Sequence, residues 1–247
     1  MDLAAVIKEI INEETRKAEA PYPYREPLVG FADANDPMFD KLTEIIGNEQ
    51  VHPTEILPSA STVVVFFLPY SEEMIKKLRE HPQVPIAQEW SDYYTVTNKV
   101  LSDISDRLTE ELEKLGIRAG SQPPTNNYNE DELTAKWGHK SAAVISGIGT
   151  FGLNHLIVTK YGTMGRLNSL VIDAWIEPTP RAKTEYCLYY KSGKCRFCVE
   201  NCPSGALSME GIDKFRCDAY LNGKNVRDSQ QGCPGCSSGP CAFKGFE

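Results

Sequence analysis

"YCLYYKSGKCRFCVENCP", residues 186–203, decides what kind of fold this chain can have. Cys195, Cys198 and Cys202 followed by Pro203 match the back of a C-x2-C-x2-C-x3-C-P run, the spacing that holds iron–sulfur clusters in bacterial ferredoxins. The first cysteine of that run is due at position 192, where the chain has serine. All eight cysteines lie between 187 and 241, and the first 186 residues have none. Cysteines gathered behind a cysteine-free stretch suggest a metal module rather than a disulfide framework.

The tail aligns with itself. Cys187-x7-Cys195-x2-Cys198-x3-Cys202 is followed by Cys217-x15-Cys233-x2-Cys236-x4-Cys241. Each half is one cysteine, a spacer, a C-x2-C pair and a fourth cysteine, so Cys187 takes the place of the ligand missing at 192. Eight thiolates suit two [4Fe–4S] clusters. In two-cluster ferredoxins the cysteine before the proline ligates the other cluster. That rule gives Cys187, Cys195, Cys198 and Cys241 to one cluster and Cys202, Cys217, Cys233 and Cys236 to the other. The small residues Gly232, Gly235, Ser237, Ser238 and Gly239 would let backbone N–H groups approach the second set. Structural zinc also uses C-x2-C pairs, but no histidine follows His155, so such sites would be Cys-only. Zinc, a disulfide tail, and a single cluster with spare thiols stay open.

The rest of the chain reads as a larger domain. "STVVVFFLPY" (61–70) is a β-branched and aromatic run suited to a buried strand. The repeat of Val96, Val100, Ile104, Leu108, Leu112 and Leu115 predicts a long helix over 91–117. Leu3, Val6, Ile7, Ile10 and Ile11 share one face of an N-terminal helix. "GFADANDPMFDKLTEIIG" (30–47) reads as an Asp/Asn-rich turn and a short helix, and residues 119–131 as a loop. A helix ending in a glycine turn is expected over 136–152, then two strands in "HLIVTKYG" and "RLNSLVIDAWIE". The Pro-rich "EPTPR" (177–181) marks a boundary between a domain at 1–180 and a module at 181–247.

Formal net charge is −8, which argues against generic nucleic-acid binding. The balance is uneven: residues 181–247 hold 10 Lys/Arg against 7 Asp/Glu, and the first 180 hold 16 against 27. A mildly basic module suits an anionic thiolate cluster. No apolar run approaches a membrane span, and the N-terminus lacks signal-peptide features, so a cytoplasmic protein with no membrane partner is expected.

"GIGTFG" (147–152) fits G-x-G-x-x-G to the letter. A dinucleotide fingerprint must follow a strand and open a helix. The alternatives are a tight turn packed on the core and a loop lining another cofactor pocket. Under the last, Gly147, Gly149, Gly152 and Asn154 are candidate cofactor-binding residues.

Several stretches together resemble the epoxyqueuosine reductases and their iron–sulfur relatives, the reductive dehalogenases. They are "GFADANDP" (30–37), "EILPSASTVVVFFLPY" (55–70), "HKSAAVISGIGTFGLNHLIVTKYGTMGRLNSLVID" (139–173), "RCDAYLNG" (216–223) and "GCPGCSSGPC" (232–241). The resemblance covers roughly residues 28–243. It implies an α+β fold, with a nitroreductase-like α/β domain followed by a two-cluster ferredoxin-like module. It also implies a cobalamin between the two, reduced by the clusters, and removal of an epoxide oxygen from a modified tRNA base with an aspartate supplying a proton. The register of that aspartate lands on Leu133, beside Asp131 and Glu132. The family's basic stretch appears here as "AQEWSDYY" (87–94), without its arginines and histidine. Its C-terminal helical repeats have no counterpart in this sequence. Asp131, His139 and Lys140 are therefore the catalytic candidates, and Tyr93, Tyr94 and Trp137 could flank a flat ligand. Two function classes stay open. One is a reductase with a small-molecule substrate, served by an electron donor of the ferredoxin or flavodoxin class. The other is a non-enzymatic electron carrier. Nucleic acid is not expected as a partner.

Overall fold

The structure, a computed structural model, describes residues 2–47, 50–80, 88–123, 128–129, 131–223 and 233–246. Gly232, His81 and Ala87 lie outside the described residues.

Helix α1 (Leu3–Lys17) opens on Asp2, whose carboxylate accepts the Ala5 N–H at 3.2 Å, and closes with Arg16 and Lys17 in its last turn. Those charges suit the two ends of the helix dipole. Strand β1 (Leu28–Asp33) follows, then α2 (Pro37–Ile46), capped by Asp36 with Pro37 in the first turn. The short α3 (Pro53–Ile56) precedes β2 (Thr62–Pro69), and α4 (Glu72–Glu80) leads to the long α5 (Gln88–Lys114). Next come β3 (Ala119–Ser121), β4 (Tyr128–Asn129), β5 (Thr134–Ala135) and α6 (His139–Ile145). The hairpin β6 (Gly149–Phe151) and β7 (Ile157–Thr159) is followed by β8 (Gly165–Ile172). The tail carries α7 (Leu188–Ser192), α8 (Phe197–Glu200), α9 (Lys214–Gly223) and two 3₁₀ turns, Gly235–Ser237 and Pro240–Ala242.

Four strands form one sheet in the order β1-β2-β8-β3, with antiparallel pairs throughout. Every residue of β2 is buried, because helices cover both faces. Val63, Val65 and Phe67 point toward α2 and α6, packing with Phe39, Leu42, Trp137, Ala142 and Ile145. Val64, Phe66 and Leu68 point the other way, onto Ile7 and Ile11 of α1 and Leu101, Ile104 and Leu108 of α5. The period-2 alternation thus feeds two cores, and each large side chain buried stabilises by roughly 1.5–3 kcal/mol. The result is a helix–sheet–helix sandwich of mixed α and β character.

Three expectations change. "GFAD" belongs to β1 rather than to the turn, which begins at Asp33. Its Gly30 is a packing residue, since a Cβ there would sit 2.3 Å from the Ser146 carbonyl. The stretch expected as loop at 119–131 contains β3, which pairs with β8, and β4, which pairs with β5. "GIGTFG" is not a dinucleotide fingerprint, because a helix precedes it and a β-hairpin follows. Gly147 has φ +74° and backs onto the Pro180 carbonyl, and Gly149 packs on the Val158 carbonyl.

The Pro-rich segment is no free linker. Thr179 lies along β1: its N–H donates to the Phe31 carbonyl at 2.9 Å, and its Oγ1 accepts the Phe31 N–H at 3.0 Å. The tail then folds back over the far end of the sheet. Arg25 donates to the carbonyls of Tyr70 (2.8 Å), Phe243 (2.9 Å) and Tyr161 (2.6 Å), joining sheet, loop and tail. Ala242 is buried with Tyr70, Met74, Trp90, Tyr93 and Met164.

Candidate metal centres and active-site cavity

The tail's short elements bring the thiols together in two groups. Cys187 caps α7 and is buried beside Leu153 and Val158, and Cys198 lies in α8. Cys241 sits in the second 3₁₀ turn, which the Thr163 N–H holds by donating to the Cys241 carbonyl at 2.9 Å. Cys187, Cys195, Cys198 and Cys241 line one space with Leu153 and Phe197, and Cys236 lines it too. Burial, then the charge of Cys187 and Cys195, pushes the Cys198 thiol up to about 11. Burial, then Cys187, Cys198 and Cys195, pushes Cys241 up to about 12.

The second group is Cys202, Cys217 of α9, Cys233 and Cys236. Burial raises Cys217, with Cys202 and Cys233 adding to it, and burial raises Cys236 further, with Cys233, Cys217 and Cys202 adding. At Cys202 burial is outweighed by the Ser204 hydroxyl and nearby backbone N–H groups, so its thiol is lowered. The Gly235 N–H donates to the Cys233 sulfur at 3.4 Å. Cys198 also raises Cys236, so the groups adjoin. All eight thiols are free. Among the described residues, no three His, Cys, Asp or Glu converge tightly enough for a single metal ion.

A cavity of about 410 Å³ opens beside the second group. Trp90 and Tyr94 come from α5, Trp137 from the segment just before α6, His139 and Lys140 from its first turn, and Phe67 and Gly165–Leu167 from the sheet end. Cys233 and Ser237 form part of its wall. The cavity therefore touches both the α/β body and the thiol-bearing tail.

His139 is held at both ring nitrogens. Nε2 lies 3.0 Å from the Pro123 carbonyl, which can only accept, so Nε2 carries the proton. Nδ1 lies 2.8 Å from Ser169 Oγ, which also accepts the Trp137 indole N–H at 2.8 Å. Burial, with Arg166 nearby, pushes His139 down to about 4. With the proton on Nε2, Ser169 donates to Nδ1, and both ring nitrogens are engaged within the protein. These contacts fix the ring in the cavity wall.

Lys140 is part of the cavity wall and keeps exposed surface. Burial lowers its pKa, and Cys236 works against that shift. Its Nζ donates to the His155 carbonyl at 3.0 Å. Asp131 is exposed on the β4–β5 turn, with its N–H on Asn129, and is not part of the cavity wall.

Gly147, Gly149 and Gly152 likewise do not line the cavity. A Cβ on Gly152 would sit 2.6 Å from Asn154 Oδ1, so these glycines fit close backbone packing. Asn154 is buried at the first thiol group and donates to the Cys236 carbonyl at 3.0 Å, bridging body and tail. Of the aromatic candidates, Tyr94 and Trp137 line the cavity, while Tyr93 stacks on Tyr24 behind it.

Sequence reasoning passed over Arg166, Thr163, Met164 and Trp90. Arg166 sits in a strand position that gives no motif, yet its guanidinium lies 3.9 Å over the Tyr94 ring and donates to Asn98 Oδ1 at 2.6 Å.

No family model matches the chain. The resemblance read from the motifs is borne out by individual relatives. An epoxyqueuosine reductase of Vibrio cholerae serotype O1 is 27% identical over 184 residues, 71% of this chain and 45% of that protein. One from Bacillus subtilis is 27% identical over 180 residues, 70% of this chain and 42% of that protein. The chain thus spans about half the length of the curated relatives it matches. In fold it is similar to epoxyqueuosine reductase from Streptococcus thermophilus, with a TM-score of 0.62 at 21% identity over 100% of this chain and 69% of that one. A catabolic reductive dehalogenase gives 0.60 at 14% identity, over 88% of this chain and 29% of that one.

Proposed function

We propose that this chain, a relative of the epoxyqueuosine reductases, is an iron–sulfur reductase that delivers electrons into its aromatic cavity. One observation carries the reading: Cys233, of the second thiol group, is part of the cavity wall. Cys187, Cys195, Cys198 and Cys241 would hold one [4Fe–4S] cluster, and Cys202, Cys217, Cys233 and Cys236 the other. The donor set fits. Buried thiols that raise one another's pKa need a cationic partner to ionise, and four cysteines per set match the ligand number of a [4Fe–4S] cluster. When bound, two such clusters supply one-electron transfer between the surface and the cavity. Cys198 and Cys236 link the two groups, and Lys140 in the cavity wall interacts with Cys236. A donor of the ferredoxin or flavodoxin class would serve the first group. No helix among the described residues is long and apolar enough to cross a membrane.

One solved reductive dehalogenase is linked to B12-dependent dehalogenation, and one solved epoxyqueuosine reductase is bound to a tRNA stem loop. These support a corrinoid and leave the expectation of no nucleic-acid partner without support. A corrinoid held at this cavity of about 410 Å³, with Trp137, Lys140 and Cys233 in the lining, would supply reducing chemistry there. Lys140 lines the cavity and Asp131 does not, which favours Lys140 as the proton donor.

The test is an anaerobic preparation with iron, sulfide, zinc and cobalt assayed together with its visible spectrum. About eight irons and a dithionite-bleached band support the reading, and Cys233→Ser should then halve the iron. Zinc without uptake of iron and sulfide on reconstitution would overturn it.

A further inference from the structure

We propose that Asn154 is the positioning residue at the junction of the two thiol groups, fixing the turn through which electrons pass from the first group to the second and on to the cavity. The inference rests on reading the thiols as iron–sulfur ligands, and it names the residue that sets the contact between the two clusters.

The turn is Cys233–Ser237, which contains the first 3₁₀ turn of the tail. It touches three places at once. Cys233 and Ser237 line the cavity. Cys236 belongs to the second group and also lines the space of the first, with Cys187, Cys198 and Cys241. A displacement of this turn therefore changes the gap between the groups and the gap to the cavity together. Asn154 lines the same first-group space and donates from Nδ2 to the Cys236 carbonyl at 3.0 Å. The side chain is buried, so without that bond no solvent replaces it. Hydrogen bonds behind a metal ligand orient the ligand and tune the metal. Here the bond acts on a ligand of one group that lies against the other.

The connection between β6 and β7 is built to present this amide. The Gly152 N–H donates to the Leu156 carbonyl at 2.8 Å, and the His155 N–H to the Gly152 carbonyl at 2.9 Å. Asn154 Oδ1 accepts the Leu156 N–H at 3.2 Å, which orients the amide with Nδ2 toward the tail. Gly152 is required there, because a Cβ would lie 2.6 Å from that oxygen. His155 takes φ +57°, a region that non-glycine residues enter at a cost. Lys140 holds that residue by donating to its carbonyl at 3.0 Å. On the other side of Asn154, Leu153 packs with Val158 and with Cys187 of the first group. The last glycine of "GIGTFG" thus leaves room for the residue that joins the groups.

The experiment compares the reconstituted chain with Asn154→Leu. Iron, sulfide and the melting curve are measured on both, and the dithionite-reduced samples are examined by electron paramagnetic resonance. Two reduced clusters that adjoin interact magnetically and split each other's signal, a signature that loss of general stability does not move while iron content holds. The parent should show the split signal, and Asn154→Leu should lose it at unchanged iron. Hydrogen exchange on the cluster-free chains gives the second readout. Residues 233–241 should exchange about fivefold faster in the variant, the equivalent of one hydrogen bond, while 187–202 stay as in the parent. Gly152→Ala crowds the same amide oxygen without replacing Asn154, and it should shift both readouts the same way if Asn154→Leu misfolds. An unsplit signal in the fully loaded parent, or a split signal and exchange unaltered in both variants, overturns the inference and leaves the redox reading standing. A chain that takes up no iron and sulfide sinks the redox reading, and the exchange comparison then decides by itself whether Asn154 fixes Cys236.

Discussion

Replacing Arg25 with alanine tests whether the tail is built into the body. The guanidinium donates to three backbone carbonyls: Tyr70 at the sheet end, Tyr161 in the β7–β8 connection and Phe243 two residues after Cys241. It also lies over the Tyr161 ring at 5.3 Å. Hydrogen bonds involving a charged group contribute about 1.5–3 kcal/mol each. The three share one side chain, so their sum is not additive, and a loss of about 3–5 kcal/mol is expected. Against a total stability of about 5–15 kcal/mol this is severe. For a chain of this size it corresponds to a fall in Tm of roughly 10 °C. The damage should be local first, because Phe243 anchors the turn that carries Cys241. Arg25→Ala should therefore lose iron from the first group before the second. Circular dichroism melts and iron per chain after reconstitution give both readouts. Arg25→Lys reaches at most one of the carbonyls and should recover only a minor part. A variant that melts within 2–3 °C of the parent, on a scale of about 2–4 °C per kcal/mol, with full iron content would refute the clamp.

His139 should make the fold acid-sensitive. Its folded pKa of about 4 lies below the ordinary 6.5, so its contribution is intact above pH 6.5 and is lost as pH falls toward 4. At pH 5 the loss is about 2 kcal/mol, from 1.5 units at 1.36 kcal/mol each. Urea melts at pH 7 and pH 5 should show it, and His139→Gln should flatten the difference. Gly162→Ala should destabilise by more than ~2 kcal/mol, the range for strained backbone in a fixed contact. Its φ is +88°, and a Cβ would lie 2.5 Å from the Cys241 carbonyl. A wild-type melting curve for that variant would show the seam to be loose. Ser192→Cys should not rescue the iron content of Cys187→Ser, because Ser192 is exposed at the end of α7 with its hydroxyl donating to the Leu188 carbonyl at 2.7 Å. Full iron in the double variant would mean the helix is dispensable.

The elements that were legible in the sequence are those whose own residues suffice to specify them. Thr62–Pro69 is one apolar β-branched run, and Val100 through Leu112 keep helical spacing over several turns, so both were readable. The clustering of the thiols in the tail was readable too, since cysteine spacing is local; Cys187, Cys195, Cys198 and Cys241 line one space, which Cys236 lines as well. Strand β1 was hidden because its pairing with β2 is long-range and Gly30 breaks the local pattern. The glycine run matched a fingerprint because glycine answers any close backbone approach. Here the approaching groups are the Pro180 and Val158 carbonyls. Arg166 could not have been picked out at all. Its meaning comes from Tyr94 and Asn98, more than sixty residues earlier, and from the cavity they share.

The boundary at 180 is a composition signal, and the contacts across it argue that it is not a folding boundary. Beyond residue 180 the chain supplies Ala242, buried among Tyr70, Met74, Trp90 and Met164. It also supplies the Cys241 carbonyl that accepts from Thr163, the Cys236 carbonyl that accepts from Asn154, and one of the three acceptors of Arg25. A fragment of residues 1–180 would leave Asn154 and Arg25 with lost partners and would uncover an aromatic cluster. Each lost acceptor costs about 1–3 kcal/mol when the donor stays buried. The fragment should therefore lack a cooperative thermal transition and bind a hydrophobic dye, as states with loosened packing do. A soluble 1–180 fragment with a sharp melt near that of the full chain would show a separable domain. The cavity would then be a surface made by docking, and the shared wall at Cys233 would no longer tie electron delivery to the fold itself.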